Sequence, residues 1–222
     1  TGTLIGRDLV LTATHCLLDP STNDLRSHVQ FYLESSSGGQ RGFDARAIAT
    51  HSGYRFSTAA GADNDIALVW LTRPVFGVAP LPLSQSPVTL GDRLTIVGYG
   101  LTRVGADDAG IKRQATVLVD RIASSGLEFS FERNPAGELT TVCSGDSGGP
   151  SLFEQSGVEV AGVHATTASG CNGSGTDMMV AAYRGWITAQ QPTIGVYRVP
   201  CCSATDCASG RCVLSPDGHR YC

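Results

Sequence analysis

The sequence predicts an all-β fold, a sandwich or a barrel, over residues 1–182. Short apolar or alternating runs recur along this stretch, and Gly, Pro, Ser and Asp separate them. Many short strands joined by turns are typical of these two architectures. The predicted strands lie at residues 9–13, 29–33, 66–71, 94–97, 116–119 and 158–163.

A helix and a tail follow the predicted strands. Ala182, Trp186 and Ile187 recur at near-helical spacing within residues 181–190, and Pro192 ends the pattern. Beyond it the chain has few large apolar residues, so it cannot build a core without disulfides. We therefore predict a first domain over residues 1–191 and a cysteine-rich tail over residues 192–222. The tail cysteines are Cys201, Cys202, Cys207, Cys212 and Cys222.

The composition excludes several classes of protein. With 41% hydrophobic and 16% charged residues the chain has the composition of a folded globular protein. The net charge of −4 and the lack of a Lys/Arg run argue against nucleic-acid binding. No run approaches the roughly 18 apolar residues of a membrane span. Eight cysteines without a C-x2-C pair favour disulfides, and hence a secreted protein.

The most specific motif is CSGDSGGP at residues 143–150. A serine hydroxyl is a poor nucleophile until a base takes its proton, and its reaction needs backbone N–H donors for the oxyanion. Glycines beside Ser147 let the backbone bring such donors close, and Gly145 and Ser147 are the expected pair. The alternative is a glycine-rich turn with an ordinary exposed serine.

Two further strings supply a histidine and an aspartate. LTATHC at residues 11–16 places His15 at the end of an apolar strand, before Cys16. DNDIALVWL at residues 63–71 places Asp65 at the entry to another. Alone, each residue fits a structural role as well. Together with Ser147 they follow the order His, Asp, Ser, which is the chymotrypsin order.

On these strings the chain resembles the trypsin/chymotrypsin-like serine endopeptidases over residues 1 to about 190. GYG at residues 98–100, the RPV to LPL connection at residues 73–83 and YRGWI at residues 183–187 add to the likeness. The resemblance implies two six-stranded antiparallel β-barrels with a C-terminal helix. The active site would lie in the cleft between them. The sequence opens as if within a strand, so we expect N-terminal strands upstream of Thr1.

The resemblance also implies a mechanism. Ser147 would attack the peptide carbonyl to form an acyl-enzyme, His15 would act as general base, and Asp65 would orient the base. Gly145 and Ser147 would form the oxyanion hole. Protein or peptide substrates are expected, and no cofactor or catalytic metal is needed; a structural calcium ion, as in some relatives, stays open.

By the same resemblance Thr141 lies at the base of the specificity pocket. It is small and uncharged, so trypsin-like cleavage after Lys or Arg is not expected. Glutamate-specific relatives carry a histidine at the position of His164, which suggests a preference for Glu or Asp, with neutral donors beside it. The alternatives are that His164 is a wall residue bonded to the backbone, or that substrates are small and apolar. The other implied pocket residues are Ser144, Ala165, Thr166, Thr167 and Gly175, with Cys143 paired to Cys171 across the pocket.

The chain departs from the family pattern at several positions. Ala165 replaces a serine that commonly hydrogen-bonds the catalytic aspartate, and Thr166-Thr167 replaces Trp-Gly. In the family, an amino group released by an activating protease pairs with the residue at Asp146, and the partner of Cys16 would lie upstream. We therefore expect the chain as written to be unstable or to behave as a zymogen.

Other readings remain. The chain could be a weak or inactive protease-like binding protein, although such proteins have usually lost the His or Ser that this chain keeps. The tail could be an adhesion module or a stapled spacer. A monomer and a bacterial source are further expectations, the latter resting only on the tail.

Overall fold

The computed structural model describes residues 1–34, 39–57, 61–154 and 157–190, together with residues 213–214 and 220–221. The chain divides into two compact units, Thr1–Thr188 and Ala189–Cys222. Strands make up most of the first. They are β1 (Thr3–Gly6), β2 (Leu9–Thr12), β3 (Gln30–Glu34), β4 (Gln40–Thr50), β5 (Arg55–Ser57), β6 (Gly61–Asp63), β7 (Ala67–Leu71), β8 (Arg93–Gly98), β9 (Arg113–Ile122), β10 (Glu128–Arg133), β11 (Pro150–Phe153), β12 (Glu159–Thr167) and β13 (Gly175–Met179).

The first sheet is antiparallel and curled, with the strand order β1-β2-β7-β4-β3. Its centre is β7, whose sequence ALVWL is buried on both faces. A strand that is covered on both sides reads as a continuous apolar run, which is the pattern seen at residues 66–71. β5 and β6 pair separately as a short hairpin. In the described residues this sheet has five strands, where the resemblance implied six.

The second sheet is a closed barrel of six strands in the order β10-β13-β12-β11-β8-β9. Closure leaves no strand edge unpaired. Its interior is packed by side chains from alternating positions, among them Ile96, Val117, Val119, Phe129 and Phe131. The predicted all-β fold of two barrel-like sheets is therefore confirmed.

One core cluster joins the two sheets and the helix. It combines Leu11 and Leu68 of the first sheet with Leu152 and Val163 of the barrel and with Tyr183 of the helix α1 (Val180–Gln190). The helix thus lies where the periodicity of residues 181–190 predicts it. Because this core is shared, the loops that leave both sheets near it are held at fixed positions.

The second unit is described only in part. β14 (Val213–Leu214) pairs antiparallel with β15 (Arg220–Tyr221). The five tail cysteines lie outside the described residues, so the role of the tail and the domain boundary stay predictions. Among the described helices, none has the length and apolarity that crossing a bilayer requires.

Leu68→Ala is expected to destabilise the chain by about 2–5 kcal/mol, because Leu68 has no exposure and its truncation leaves a cavity in the core cluster that joins the two sheets and the helix. Leu90→Ala is the matched control, since Leu90 is 65% exposed and its truncation should change stability by less than about 0.5 kcal/mol. Urea unfolding of the two variants measures the difference. Equal losses would contradict the shared core.

Candidate active site

The pairing of β2 with β7 brings His15 and Asp65 together. Thr12, the last residue of β2, lies opposite Ala67, the first residue of β7. A 3-10 turn at Thr14–Leu17 then carries His15, and Asp65 stands two residues before β7. The side chain of Thr14 donates a hydrogen bond to the carbonyl of Ile66 at 2.9 Å and locks the two segments in this register.

Both carboxylate oxygens of Asp65 are held by His15. The backbone N–H of His15 donates to Oδ1 at 2.9 Å, and Nδ1 lies 2.5 Å from Oδ2. Asp65 has no exposure to solvent, whereas 31% of the His15 side chain is exposed. Ala165 is buried and has no hydroxyl. It therefore cannot make the hydrogen bond to Asp65 that a serine at this position would donate.

The surroundings of His15 favour its charged form. Burial opposes protonation, but the hydrogen bonds to Asp65 and Cys16 and the charges of the same two residues outweigh it. Together they raise the pKa of His15 to about 10. The other ring nitrogen, Nε2, lies 3.7 Å from the sulfur of Cys16. In the described part of the chain, no hydrogen bond joins Nε2 to Ser147.

The turn that carries Ser147 is pressed against the end of β2. Gly148 has φ +78°, and a Cβ there would lie 2.2 Å from Thr12 Oγ1 and 3.0 Å from the backbone nitrogen of Ala13. Only glycine fits this contact. The turn therefore places Ser147 beside the segment that leads into His15.

Backbone amides of this turn divide into two sets. The N–H groups of Asp146, Gly148 and Gly149 donate to carbonyls at 2.8–3.0 Å. Those of Gly145 and Ser147 have no acceptor among the described residues. These are the two donors that the sequence assigned to an oxyanion hole, and both are free to bind a ligand oxygen.

The carboxylate of Asp146 is packed against Gly98 and Gly100. It accepts hydrogen bonds from the N–H of Gly100 at 2.7 Å and from that of Cys143 at 2.8 Å. A Cβ at Gly98 or at Gly100 would collide with this side chain. The GYG string at residues 98–100 is thus explained by the room that Asp146 requires. The carboxylate borders a cavity of about 210 Å³.

The structure contains the expected disulfide between Cys143 and Cys171, and contacts connect some of the predicted pocket residues. Thr167 donates to the carbonyl of Val142 at 3.0 Å, and Gly175 leaves only 3.0 Å between a would-be Cβ and Thr141 Oγ1. That hydroxyl of Thr141 is buried and has no hydrogen-bond partner in the part of the chain that the structure describes. Ser144 is exposed, and Thr166 is half-buried on β12.

His164 is fully buried and is paired with a residue that the sequence did not single out. Its Nδ1 lies 2.9 Å from Oδ1 of Asp177, which is equally buried. The side chain of His164 is therefore bonded to a carboxylate, not to the backbone as one sequence reading had it. The available signal was Asp177 itself, an acid inside the otherwise apolar end of β13, where burial demands a partner.

Tyr183 and Asn64 support the turn before Asp65. Tyr183 donates to Oδ1 of Asn64 at 3.1 Å, and Asn64 has φ +51°. This left-handed residue redirects the chain into β7, so helix α1 helps to fix Asp65. Among the described residues no cluster of three or more His, Cys, Asp or Glu side chains could hold a metal ion.

Comparison with known proteins shows similarity to one family. The family model described as Trypsin matches residues 1–187. The vitellin-degrading protease of Bombyx mori is 28% identical over 207 residues, which cover 84% of this chain and 74% of that protein. Trypsin of Phaedon cochleariae is 28% identical over 205 residues, covering 85% and 77% of the two chains.

Similarity extends to a venom enzyme and to a solved structure. The snake venom serine protease BPA of Bothrops jararaca is 31% identical over 163 residues, covering 67% of this chain and 60% of that protein. The structure of mouse neuropsin, a serine protease expressed in the limbic system, superposes with a TM-score of 0.70 at 20% identity. It covers 85% of this chain and 86% of its own. This last likeness establishes the fold.

Asp65→Asn is expected to lower the pKa of His15 from about 10, because the carboxylate that stabilises the imidazolium is lost while burial still opposes it. NMR titration of the His15 ring measures the change. Asp44→Asn is the matched control: Asp44 is a surface acid, 3.6 Å from His28, and its loss should leave the His15 titration unchanged. An unchanged titration in Asp65→Asn would contradict the role given to this pair.

Proposed function

This chain belongs to the trypsin family of serine endopeptidases, and we propose that Ser147 is its nucleophile, His15 its general base and Asp65 the residue that orients the base. The buried Asp65, which takes both of its hydrogen bonds from His15, carries this proposal. Such a couple fixes the tautomer of the imidazole and stabilises the imidazolium that forms during the reaction.

The reaction is acyl transfer from a protein substrate. The neutral form of His15, whose population rises as the pH approaches the raised pKa of the ring, takes the proton of the Ser147 hydroxyl at Nε2 while Oγ attacks the peptide carbonyl. The oxyanion that results accepts hydrogen bonds from the N–H groups of Gly145 and Ser147. The imidazolium then gives its proton to the leaving amine, so that the C–N bond breaks. Water repeats the cycle on the acyl-enzyme and releases the acid. No cofactor takes part.

The hydrogen bond between Ser147 and His15 is expected to form in the substrate complex. Catalytic hydrogen bonds are often long in the free enzyme and tighten when substrate binds. The two free N–H groups and the exposed edge of His15 leave the substrate carbonyl room to enter between them.

Cleavage is expected after acidic residues. Thr141 offers no charge for Lys or Arg, and His164 with Thr141 supplies two buried polar atoms without partners beside the same cavity. Ser144 and Thr166 are further neutral groups of the wall. The hydroxyl of Thr167 already donates its hydrogen bond to the carbonyl of Val142. Thr167 therefore shapes the pocket wall and does not serve as a donor to the substrate.

Activation would involve Asp146. The carboxylate of Asp146 borders a cavity in which the amino group released by an activating protease would find a partner. Such an amino group would neutralise Asp146, which otherwise repels a substrate acid from the cavity.

The disulfide between Cys143 and Cys171 fits an oxidising, extracellular location, and the enzyme would act there as a monomer.

Ser147→Ala in the activated full-length protein is expected to lower kcat by roughly 10⁴-fold or more, because no other group can form the acyl-enzyme. Ser86→Ala is the matched control at an exposed serine and should keep full activity. A fluorophosphonate reagent followed by peptide mass mapping identifies the nucleophile directly. Labelling elsewhere, or activity in Ser147→Ala, would refute the assignment.

Peptides that differ only in Glu or Gln before the cleaved bond test the specificity. The activated enzyme is expected to cleave the Glu peptide at least about tenfold better at neutral pH, since a carboxylate gains from a cationic partner and an amide does not. His164→Gln should bring the two rates together while Ser147 remains reactive toward fluorophosphonate. Equal rates in the unchanged enzyme would remove the carboxylate preference and leave the protease.

A further inference from the structure

The His164–Asp177 pair is built into the register of the barrel. β12 and β13 run antiparallel, and His164 lies directly opposite Asp177. Residues opposite one another on neighbouring antiparallel strands point to the same face, so the pairing follows from the register and not from a flexible loop. Gly162, two residues before His164, has no room for a Cβ, which would lie 2.6 Å from Asp177 Oδ2.

Burial makes each member of the pair dependent on the other. Neither side chain has exposure to solvent beyond 1%. Oδ2 of Asp177 has no hydrogen-bond partner, so in the described residues His164 is its one counter-group. A buried charge is tolerated when it is paired, and an ionised Asp177 therefore favours an imidazolium at His164. Because Nδ1 faces the carboxylate, the second proton of that imidazolium is on Nε2.

Nε2 of His164 has no hydrogen-bond partner among the residues that the structure describes. Thr141 Oγ1 is buried and unpartnered as well, and both residues border the cavity of about 210 Å³. Two buried donors that lack acceptors and share one cavity are suited to a ligand with paired oxygen acceptors. A carboxylate has this chemistry.

Two other ionisable side chains, Arg113 and Asp146, border the same cavity. The guanidinium of Arg113 is already bonded to the side chain of Asp108 and to the carbonyl of Gly100. The carboxylate of Asp146 is held by two backbone N–H groups. The other charged residues of the elements packed around the pair are exposed or half-buried at the surface: Asp63, Arg93, Asp120, Arg121, Glu128, Glu132, Arg133 and Glu159.

We infer that Asp177 is a positioning residue for substrate selection: it keeps His164 protonated and aims Nε2 as a donor at the carboxylate of an acidic substrate residue. This inference rests on the proposed preference for acidic residues and adds the residue that makes it work at neutral pH. Asp177 itself does not touch the substrate. In the described residues, two His–Asp couples have a fully buried aspartate. Of these, His15–Asp65 handles the reacting proton and His164–Asp177 selects the side chain.

Asp177→Asn tests the inference, because it keeps the shape of the side chain and removes its charge. We expect the ratio of kcat/KM for Glu over Gln peptides to fall by about tenfold or more at pH 7, chiefly through KM. Cleavage of the Gln peptide should change by less than about threefold. The pH dependence of the Glu/Gln ratio should differ between the unchanged enzyme and Asp177→Asn, because only the unchanged enzyme has a carboxylate beside Nδ1 of His164.

The matched control is Asp120→Asn, an exposed acid on strand β9 of the same barrel, which pairs with neither β12 nor β13. It should leave both the ratio and its pH dependence unchanged. Combining Asp177→Asn with His164→Gln gives a second check: once His164 is gone, removing the charge of Asp177 should alter the ratio no further. A further drop in the double variant would show that Asp177 acts by another route.

A spectroscopic measurement covers the case in which Asp177→Asn does not fold. In nitrogen-15 NMR of the activated enzyme, with Ser147 blocked by a fluorophosphonate, both ring nitrogens of His164 should carry a proton at pH 7. A neutral ring would overturn the inference without any variant.

The outcomes separate the inference from the proposed function. Equal cleavage of Glu and Gln by the unchanged enzyme removes the acidic preference and the inference with it. A Glu preference that survives in folded Asp177→Asn, with its pH dependence intact, removes the inference alone. Loss of all cleavage in Ser147→Ala is expected in every case and bears only on the nucleophile.

Discussion

The carboxylate of Asp65 is fully buried, and every hydrogen bond that it makes within the described part of the chain comes from one residue, His15. A buried acid must find donors, so the segment that carries His15 and the entry to β7 cannot be placed independently. The register of β2 against β7, the hydroxyl of Thr14 on the carbonyl of Ile66 and the left-handed Asn64 all serve this meeting. The first sheet can be regarded as the frame that holds the couple.

The turn that carries Ser147 leads into the barrel, and the packing of Asp146 constrains it. Asp146, the residue before Ser147, packs its carboxylate against Gly98 and Gly100, which leave room for it because they have no side chain. Because alternate backbone amides of the turn are used internally, those of Gly145 and Ser147 are left free. The two free N–H groups beside the nucleophile thus follow from the hydrogen bonds that the other amides of the turn make within the protein.

The sequence predicted what local patterns encode. Apolar runs located the strands, and the strings around His15, Asp65 and Ser147 located the site, since each residue stands at a strand end within a recognisable segment. Asp177 was missed because its partner is 13 residues away on another strand, and only the register of β12 and β13 makes them neighbours. The hydrogen bond from Thr167 to Val142 was beyond reach for the same reason. Cross-strand pairing is a property of the assembled sheet.

The mutual dependence of His164 and Asp177 also constrains how this protease can diverge. Replacing either residue alone leaves the other as a buried group without a counter-charge, a state that is strongly disfavoured. The two positions are therefore epistatic: a lineage that abandons one must lose or replace both, and the single-substitution intermediates are less stable than either end point. Directed evolution toward another specificity would meet the same barrier, and libraries that vary both codons together would cross it.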